Sequence, residues 1–214
     1  MPVGPVRGRL IAFEGIDGCG KSTQAALAAA SFGAALTFEP GGTPLGAALR
    51  PLALGTAQVD PVARAEALLM MADRAQHVAD VIEPALATGR WVVTDRFGAS
   101  TLAYQGHGRG LDLGILELLN RWATAGVAPD LNVLIDLPVV DALARRHQRV
   151  ADGFESLDTE FHQRVAAGFR SQAASDPEHW LVVDGRSGPD EVSAAVAAGV
   201  AERLGAPGQL GDDR

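Results

Sequence analysis

The residues with the clearest chemical meaning lie near the start of the chain, where Gly15 to Ser22 read GIDGCGKS. This stretch fits the pattern G-x-x-x-x-G-K-[ST], whose glycines let successive backbone N–H groups curl around a phosphate. Lys21 is the only lysine among 18 basic residues. A compact ammonium on a flexible stem can reach between the β- and γ-phosphates of a nucleotide, whereas a planar guanidinium is bulkier. The hydroxyl of Ser22 would then bind Mg²⁺.

The segments around this motif indicate how it is positioned. An apolar strand, LIAF, enters it and an Ala-rich helix, STQAALAAASF, leaves it, so the helix N-terminus adds its dipole to the phosphate site. Further apolar runs alternate with helical patterns, at ALTFEPGG, RWVVTDR, LNVLIDLP and HWLVVDG, and a long helical segment runs from Pro61 to Thr88. This alternation predicts an α/β fold with a parallel sheet of about five strands and helices on both faces. The opening motif, between its strand and its helix, makes the P-loop NTPase type the expected form of this fold.

Length and composition limit the classes of protein that the chain can belong to. Its 214 residues suit one domain, predicted at 9–204 between loose tails at 1–8 and 205–214. We expect no membrane span and no signal peptide, and the single cysteine, Cys19, excludes an intramolecular disulfide, so we expect a cytoplasmic protein. The net charge of −8 argues against a nucleic-acid partner. Because no second lysine exists, the Asn-Lys-x-Asp motif of ordinary GTPases is excluded.

Several further blocks follow the opening motif. They read EPGGT at 39–43, LR at 49–50, LLMMADRAQHV at 68–78, DRFGASTLAYQG at 95–106, PDLNVLIDLP at 129–138 and LVVDG at 181–185. In this order they are similar to the motifs of bacterial thymidylate kinase, and the resemblance covers nearly the whole chain. It implies a doubly wound P-loop kinase with a short mobile lid at about 145–157 that moves the γ-phosphoryl group of ATP onto dTMP. It also implies Mg²⁺ as cofactor and a homodimer.

The resemblance also assigns an acceptor site. Arg96, at the carboxyl end of a parallel strand where α/β sheets bind ligands, matches the arginine that holds the dTMP phosphate. Arg50 assists it, Arg74 donates to thymine O4, and Tyr104 fills the place of a ribose 2′-hydroxyl. The other residues expected to bind dTMP are Asp17, Met70, Ser100, Thr101 and Gln105. Surface arginines, a turn cap at Asp17 and a core aromatic at Tyr104 are the alternative interpretations.

On the donor side, the resemblance implies ATP binding by the loop and one flanking arginine. These residues are Gly15, Ile16, Asp17, Gly18, Cys19, Gly20, Lys21, Ser22, Thr23 and Arg145. We expect Mg²⁺ at Ser22, Asp95 and Glu155. Phosphoryl transfer needs positioning and charge neutralisation more than covalent chemistry, and the residues expected to supply them are Lys21, Asp17, Arg96 and Arg149.

Two acceptor-side positions depart from the family pattern. Phe38 replaces the arginine of the usual R-E-P-G-G, which predicts weaker dTMP binding. Met70 replaces a phenylalanine that stacks on thymine. Stacking of an aromatic side chain on a base is worth roughly 1–3 kcal/mol, and a methionine sulfur against a ring recovers roughly 0.3–1.5 kcal/mol. Alternatively, Met70 and Met71 belong to the apolar stripe of a buried helix.

A third departure concerns the lid, where Gly153 stands in place of a catalytic arginine. An arginine supplied to a phosphoryl-transfer transition state can be worth about 10³-fold or more. We therefore hypothesise that Arg149 reaches the phosphates while Arg145 or Arg146 flanks the adenine, although these arginines alternatively form a solvated helix face. Two other functions stay open: a kinase for another monophosphate such as dUMP, and a catalytically weak nucleotide-binding paralogue.

Overall fold

The computed structural model of the protein describes residues 6–147 and 159–205. Its centre is a sheet of five strands in the order β2-β3-β1-β4-β5, and every neighbouring pair is parallel. The strands are β1 Leu10–Glu14, β2 Ala35–Phe38, β3 Val92–Asp95, β4 Leu131–Asp136 and β5 Trp180–Asp184. The predicted α/β fold is confirmed, and all five strands lie in the apolar runs from which they were predicted.

Helices connect these strands. They are α1 Lys21–Phe32, α2 Pro44–Ala53, α3 Ala63–His77, α4 Glu83–Ala87, α5 Gly98–Thr101, α6 Leu113–Ala123, α7 Val139–His147, α8 Thr159–Ser175 and α9 Pro189–Leu204. Two π-helical segments, Val78–Ile82 and Leu102–Gly108, follow α3 and α5 directly. The first of them precedes Pro84 in α4, whose missing backbone N–H interrupts the α-helical hydrogen bonds to the preceding turn.

The sheet is covered on both faces, as the continuous apolar strands predict. In β1, Ile11 and Phe13 belong to a large buried cluster that includes side chains from α1, α8 and α9. Leu10 and Ala12 point the opposite way, into a second cluster with the π-helical segment after α3 and with α4. Because β1 is central and fully buried, the loop that follows it is held on a rigid support.

Some predicted segments lie partly or wholly outside the described residues. The predicted lid at about 145–157 is described only for the last turn of α7, and most of both predicted tails falls outside as well. The boundaries of the single predicted domain stay a prediction. Within residues 6–147 and 159–205, the longest apolar stretches of helix fall short of what would cross a membrane.

Candidate active site

The loop between β1 and α1 has the backbone geometry that phosphate binding requires. Gly15, Gly18 and Gly20 have positive φ angles of 140°, 89° and 96°. A Cβ on Gly15 would lie 2.8 Å from the carbonyl oxygen of Ile135 in β4, so only glycine fits this close approach. Gly20 is the N-cap of α1 and makes no side-chain hydrogen bond to its first turn, as is expected of a helix N-terminus that binds a phosphate.

Lys21 begins α1 and its side chain is buried beneath the loop. Its Nζ lies 3.3 Å from Oδ1 of Asp17, four residues earlier in the same loop. The lone lysine of the chain is therefore held inside the loop by a carboxylate and is not a solvated surface residue. Ser22 and Thr23 follow it on the first turn and are exposed.

Arg96 reaches the same carboxylate from the other side. It follows β3 in a left-handed conformation, with φ of 76°. Its Nη2 donates to Oδ1 of Asp17 at 2.6 Å and to the hydroxyl of Tyr104 at 3.1 Å, and its Nη1 donates to Oγ of Ser100 at 2.8 Å. Burial lowers the pKa of Arg96, but Tyr104, Asp17 and other nearby acidic groups outweigh it and hold this pKa well above its ordinary value.

Tyr104, the only tyrosine in the chain, contacts both Asp17 and Arg96. Its hydroxyl donates to Oδ2 of Asp17 at 3.2 Å, and its ring lies under the Arg96 guanidinium at 4.8 Å. The ring also packs edge-on against Phe169 of α8, with centroids 6.2 Å apart. Tyr104 is thus both part of the core, as the alternative interpretation has it, and a polar contact of Asp17. Burial raises its pKa well above the ordinary value.

Arg74 lies deeper in the protein and every part of its guanidinium is engaged. It is 2% exposed and forms an ion pair with Glu39 at 2.8 Å. Its Nη1 donates to Thr101 Oγ1 at 3.0 Å and to Asn120 Oδ1 at 2.5 Å, while its Nη2 donates to the carbonyl of Phe97 at 3.1 Å. Arg74 therefore connects α3 with the end of β2, α5 and α6. Glu39 and Asn120 were not predicted as part of this group.

Gln105 and Arg50 occupy more peripheral positions. Gln105 donates through Nε2 to Glu66 Oε1 at 2.6 Å, and Arg109 donates to the other oxygen of Glu66 at 3.0 Å. Arg50, on α2, donates to the carbonyl of Pro40 and places its guanidinium 5.7 Å from the centroid of the Phe38 ring. Phe38 carries no charge, but its ring forms a cation–π contact with the guanidinium of Arg50.

The two methionines of α3 differ in environment. Met71 is 4% exposed and belongs to a buried cluster with Ala67, Leu116 and Ala123, as the apolar-stripe interpretation predicts. Met70 is only half-buried, which is compatible with contact to a base. Its assignment to the thymine site stays a prediction.

Glu14 is a site residue that sequence reasoning missed. It is fully buried at the end of β1 and accepts hydrogen bonds from the turn after Arg96. Burial raises its pKa from the ordinary 4.5 to about 7, against the opposing effects of Ser100 and Arg96. The available signal was a carboxylate closing the otherwise apolar strand LIAFE.

Two of the three residues predicted to hold Mg²⁺, Ser22 and Asp95, suit a cation that retains water and phosphate ligands. Among the described residues, no group of three or more His, Cys, Asp or Glu side chains could hold a metal ion. Oδ1 of Asp95 is nevertheless buried with no hydrogen-bond partner, and Ser22 presents an exposed hydroxyl. Mg²⁺ commonly uses one or two protein oxygens together with substrate phosphates. Three of the predicted lid positions lie outside the described residues: Arg149, Gly153 and Glu155. Arg145 is described and donates to the carbonyl of Gly185 at 3.1 Å.

Together, the parallel sheet, the glycine loop and the converging cations define a nucleotide-binding α/β protein of the P-loop kinase class. Comparison with known proteins narrows the class further. The family model described as "Thymidylate kinase" matches residues 13–196, and the chain belongs to the thymidylate kinase family.

Individual relatives are similar over almost their whole length. A protein from Trichlorobacter lovleyi named "Thymidylate kinase" is 44% identical over 92% of this chain and 99% of its own. One of the same name from Solidesulfovibrio magneticus is 48% identical over 87% of this chain and 95% of its own. The crystal structure of thymidylate kinase from Ehrlichia chaffeensis superposes with a TM-score of 0.76 at 31% identity, covering 91% of this chain and 99% of that one. The resemblance inferred from the sequence motifs is confirmed.

Proposed function

We propose that this protein transfers the γ-phosphoryl group of ATP to dTMP and so produces ADP and dTDP, for the synthesis of dTTP. The observation that carries the proposal is the convergence of Lys21 and Arg96 on one oxygen of Asp17, at 3.3 Å and 2.6 Å. Family membership supports it, since relatives named thymidylate kinase match over nearly the whole chain. The same relatives do not favour another acceptor or a catalytically weak paralogue.

The geometry suits a reaction that depends on positioning. Lys21 lies in the loop that would hold the β- and γ-phosphates of ATP, and Arg96 would hold the phosphate of dTMP. Because both cations contact the same carboxylate oxygen, the two phosphate positions would be adjacent, and the acceptor oxygen would approach the γ-phosphorus directly. In this proposal the two side chains neutralise the charge that accumulates as the phosphoryl group moves.

The remaining acceptor residues would surround the sugar and the base. Tyr104, in contact with Asp17, would lie beside the deoxyribose, while Arg74 and Thr101, which are hydrogen-bonded to each other, would face the pyrimidine edge. Arg50, Met70, Ser100 and Gln105 complete the proposed dTMP site. Arg74 would exchange one of its present partners for thymine O4, because its donors are all engaged in this structure.

We propose that the Ser22 hydroxyl and the carboxylate of Asp95 would hold Mg²⁺, with Glu155 as a further ligand. The unpartnered Oδ1 of Asp95 supports this placement. The ion would screen phosphate charge when bound.

ATP is proposed to bind to the residues from Gly15 to Thr23 and to two arginines, Arg145 and Arg149. A cytoplasmic location belongs to the same proposal and is supported by the single cysteine, Cys19.

The test is ADP production by the purified protein with Mg-ATP and, separately, dTMP, dUMP, dCMP, AMP or no acceptor. We expect the highest turnover with dTMP. The matched control is Lys21→Arg, which keeps the charge but replaces the flexible point charge with a planar fork, and we expect it to lower kcat by about 100-fold or more. Equal or greater turnover with another monophosphate would refute dTMP as the acceptor. Absence of turnover with every acceptor would refute the kinase activity itself.

We also propose that the protein is a homodimer joined through α6. Ile115, Leu118 and Trp122 are 59%, 66% and 79% exposed, and their spacing places them along one side of the helix. Leu68, on the neighbouring helix α3, is 56% exposed and enlarges the apolar surface. Exposed large apolar side chains on two neighbouring helices are typical of a protein interface, and a second copy of the same surface is its proposed occupant.

Light scattering after size exclusion tests this assembly. Wild-type protein should have twice the monomer mass, and Trp122→Glu should shift it towards the monomer. Val140→Glu is the matched control, because Val140 is 71% exposed on α7, which is not part of the proposed interface, and its replacement should leave the dimer intact. A monomeric wild type, or a dimer that tolerates Trp122→Glu, would contradict the proposed interface.

A further inference from the structure

Glu14 is a buried carboxylate without a part in the reaction as proposed above. It is the last residue of β1 and directly precedes the phosphate-binding loop, and it is 0% exposed. An ionised carboxylate in such a place is costly unless it is paired and hydrogen-bonded. Among the described residues, its three side-chain hydrogen bonds all go to one short turn, residues 97–100, which consists of Phe97 and the start of α5 and directly follows Arg96.

These hydrogen bonds connect the carboxylate to the Arg96 guanidinium through one hydroxyl. Oε1 of Glu14 accepts from the backbone N–H of Phe97 at 2.8 Å and from that of Ser100 at 3.3 Å. Oε2 accepts from the hydroxyl of Ser100 at 2.5 Å. The oxygen of the same hydroxyl accepts from Nη1 of Arg96 at 2.8 Å. Glu14 therefore orients the backbone of the turn and also the Ser100 hydroxyl, which accepts a hydrogen bond from Arg96.

The backbone of Arg96 requires such support. Its φ of 76° is in the left-handed region, which is strained for a residue with a Cβ and persists only where the surroundings impose it. The N–H of Arg96 donates to the carbonyl of Phe13 at 2.9 Å, one residue before Glu14. Two charged groups act on the Glu14 carboxylate, Arg96, which directly precedes this turn, and Arg74 from α3. The end of β1 thus holds the turn by backbone and side chain together.

We propose that Glu14 is a positioning residue that fixes the turn at residues 97–100, so that Arg96 is aimed at the phosphate of the acceptor nucleotide. Because Gly15 begins the donor loop at the next position, Glu14 also sets the distance between the donor loop and the acceptor clamp. This inference rests on the proposed function, since it takes Arg96 as the residue that holds the dTMP phosphate.

The experiment compares wild type with Glu14→Gln and Glu14→Ala. Glutamine keeps one oxygen for the two backbone N–H groups but has no second acceptor for the Ser100 hydroxyl, whereas alanine removes all three contacts. Glu83→Gln, at an exposed position on α4, is the matched control. The first measurement is hydrogen exchange of the peptide that contains residues 97–100. The second is the steady-state KM for dTMP and for ATP, with kcat.

We expect a graded result. Exchange at residues 97–100 should be faster in Glu14→Gln than in wild type and faster still in Glu14→Ala. The KM for dTMP should rise by about tenfold in Glu14→Gln and more in Glu14→Ala, because small displacements of a positioning group carry large kinetic costs. The KM for ATP should stay within about twofold, because the donor loop keeps its own glycines and Lys21. Glu83→Gln should match wild type in both measurements.

The possible failures are distinguishable. Unchanged exchange in Glu14→Gln and Glu14→Ala would refute the positioning of the turn, whatever the activity. Faster exchange with an unchanged KM for dTMP would show that the turn does not aim Arg96 at the acceptor, and it would equally overturn the inference. Wild-type protein without dTMP turnover would refute the proposed function, and with it the acceptor role given to Arg96. If Glu14→Ala fails to fold, Glu14→Gln, which is closest to glutamate in shape, decides the question.

Discussion

Replacing Glu14 by glutamine should change how the stability of the folded protein depends on pH. Burial raises the pKa of Glu14 from the ordinary 4.5 to about 7. Between these two pH values the folded protein keeps a proton on Glu14 that the unfolded chain has released. The folded state therefore binds more protons, and the stability that this group contributes is present below the unfolded pKa and is lost as the pH rises through the folded pKa. One pKa unit corresponds to about 1.4 kcal/mol, so the loss between pH 5 and pH 8 is about 2–3 kcal/mol.

Urea unfolding of wild type and Glu14→Gln at pH 5, 6, 7 and 8 measures this contribution. Every other titrating group is common to the two proteins, so the difference in their free energies of unfolding isolates Glu14. We expect Glu14→Gln to gain about 2–3 kcal/mol relative to wild type across this range. Glu83→Gln, which is exposed, should follow wild type. A difference between wild type and Glu14→Gln that stays constant within about 0.5 kcal/mol would refute the argument that burial shifts this pKa.

Three further predictions concern other positions. Met70→Phe should lower the KM for dTMP by about fivefold, because an aromatic ring stacks on a base more strongly than a methionine sulfur packs on it. An unchanged KM would indicate that Met70 belongs to the apolar stripe of α3. Gly46→Ala should destabilise the fold by about 1–3 kcal/mol in thermal unfolding, because the new Cβ would lie 2.1 Å from Oδ1 of Asp73. Arg149→Ala should lower kcat by about 10³-fold if Arg149 replaces the missing lid arginine, and a fall of less than about tenfold would exclude that role.

The parts of this molecule that the sequence predicts are those encoded by neighbouring residues. The strand, glycine loop and helix around Lys21 follow from local spacing, because the positive φ angles of Gly15, Gly18 and Gly20 belong to one short loop between them. The motif residues Asp17, Arg96, Ser100 and Tyr104 were also predicted together, and the structure brings them into direct contact. Family motifs carried that prediction, since the chain separates Asp17 from Tyr104 by 87 positions.

The parts that the sequence did not predict depend on partners from distant elements. Glu14 has no recognisable role until the turn at residues 97–100 is placed over it. Arg74 matched a base-contacting position, but its ion pair with Glu39 and its contact with Asn120 arise from the packing of α3 between β2 and α6. Such hydrogen-bond networks depend on tertiary geometry, which no local spacing records.

Phe38 makes a contact that the sequence did not predict, while its predicted effect on dTMP binding stays a prediction. Reading it as the loss of an arginine predicts only weaker anion binding. In the structure its ring lies 5.7 Å from the guanidinium of Arg50, which also donates to Pro40. The substitution therefore exchanges one cation for a surface that orients another. This compensation depends on how α2 approaches the end of β2, which is a property of the fold.

If Lys21 and Arg96 bind the substrate phosphates as proposed, the carboxylate of Asp17, which contacts both, would compete with those phosphates. Each incoming phosphate would have to displace the Asp17 carboxylate from Lys21 or Arg96. The measured affinity would therefore be the difference between the free energies of the ion pairs that form and of those that break. Such an exchange weakens the binding of small anions that cannot replace every contact of Asp17. Nucleotides, which bring further contacts through base and sugar, would keep their affinity, and the protein would thereby discriminate against the inorganic phosphate that surrounds it.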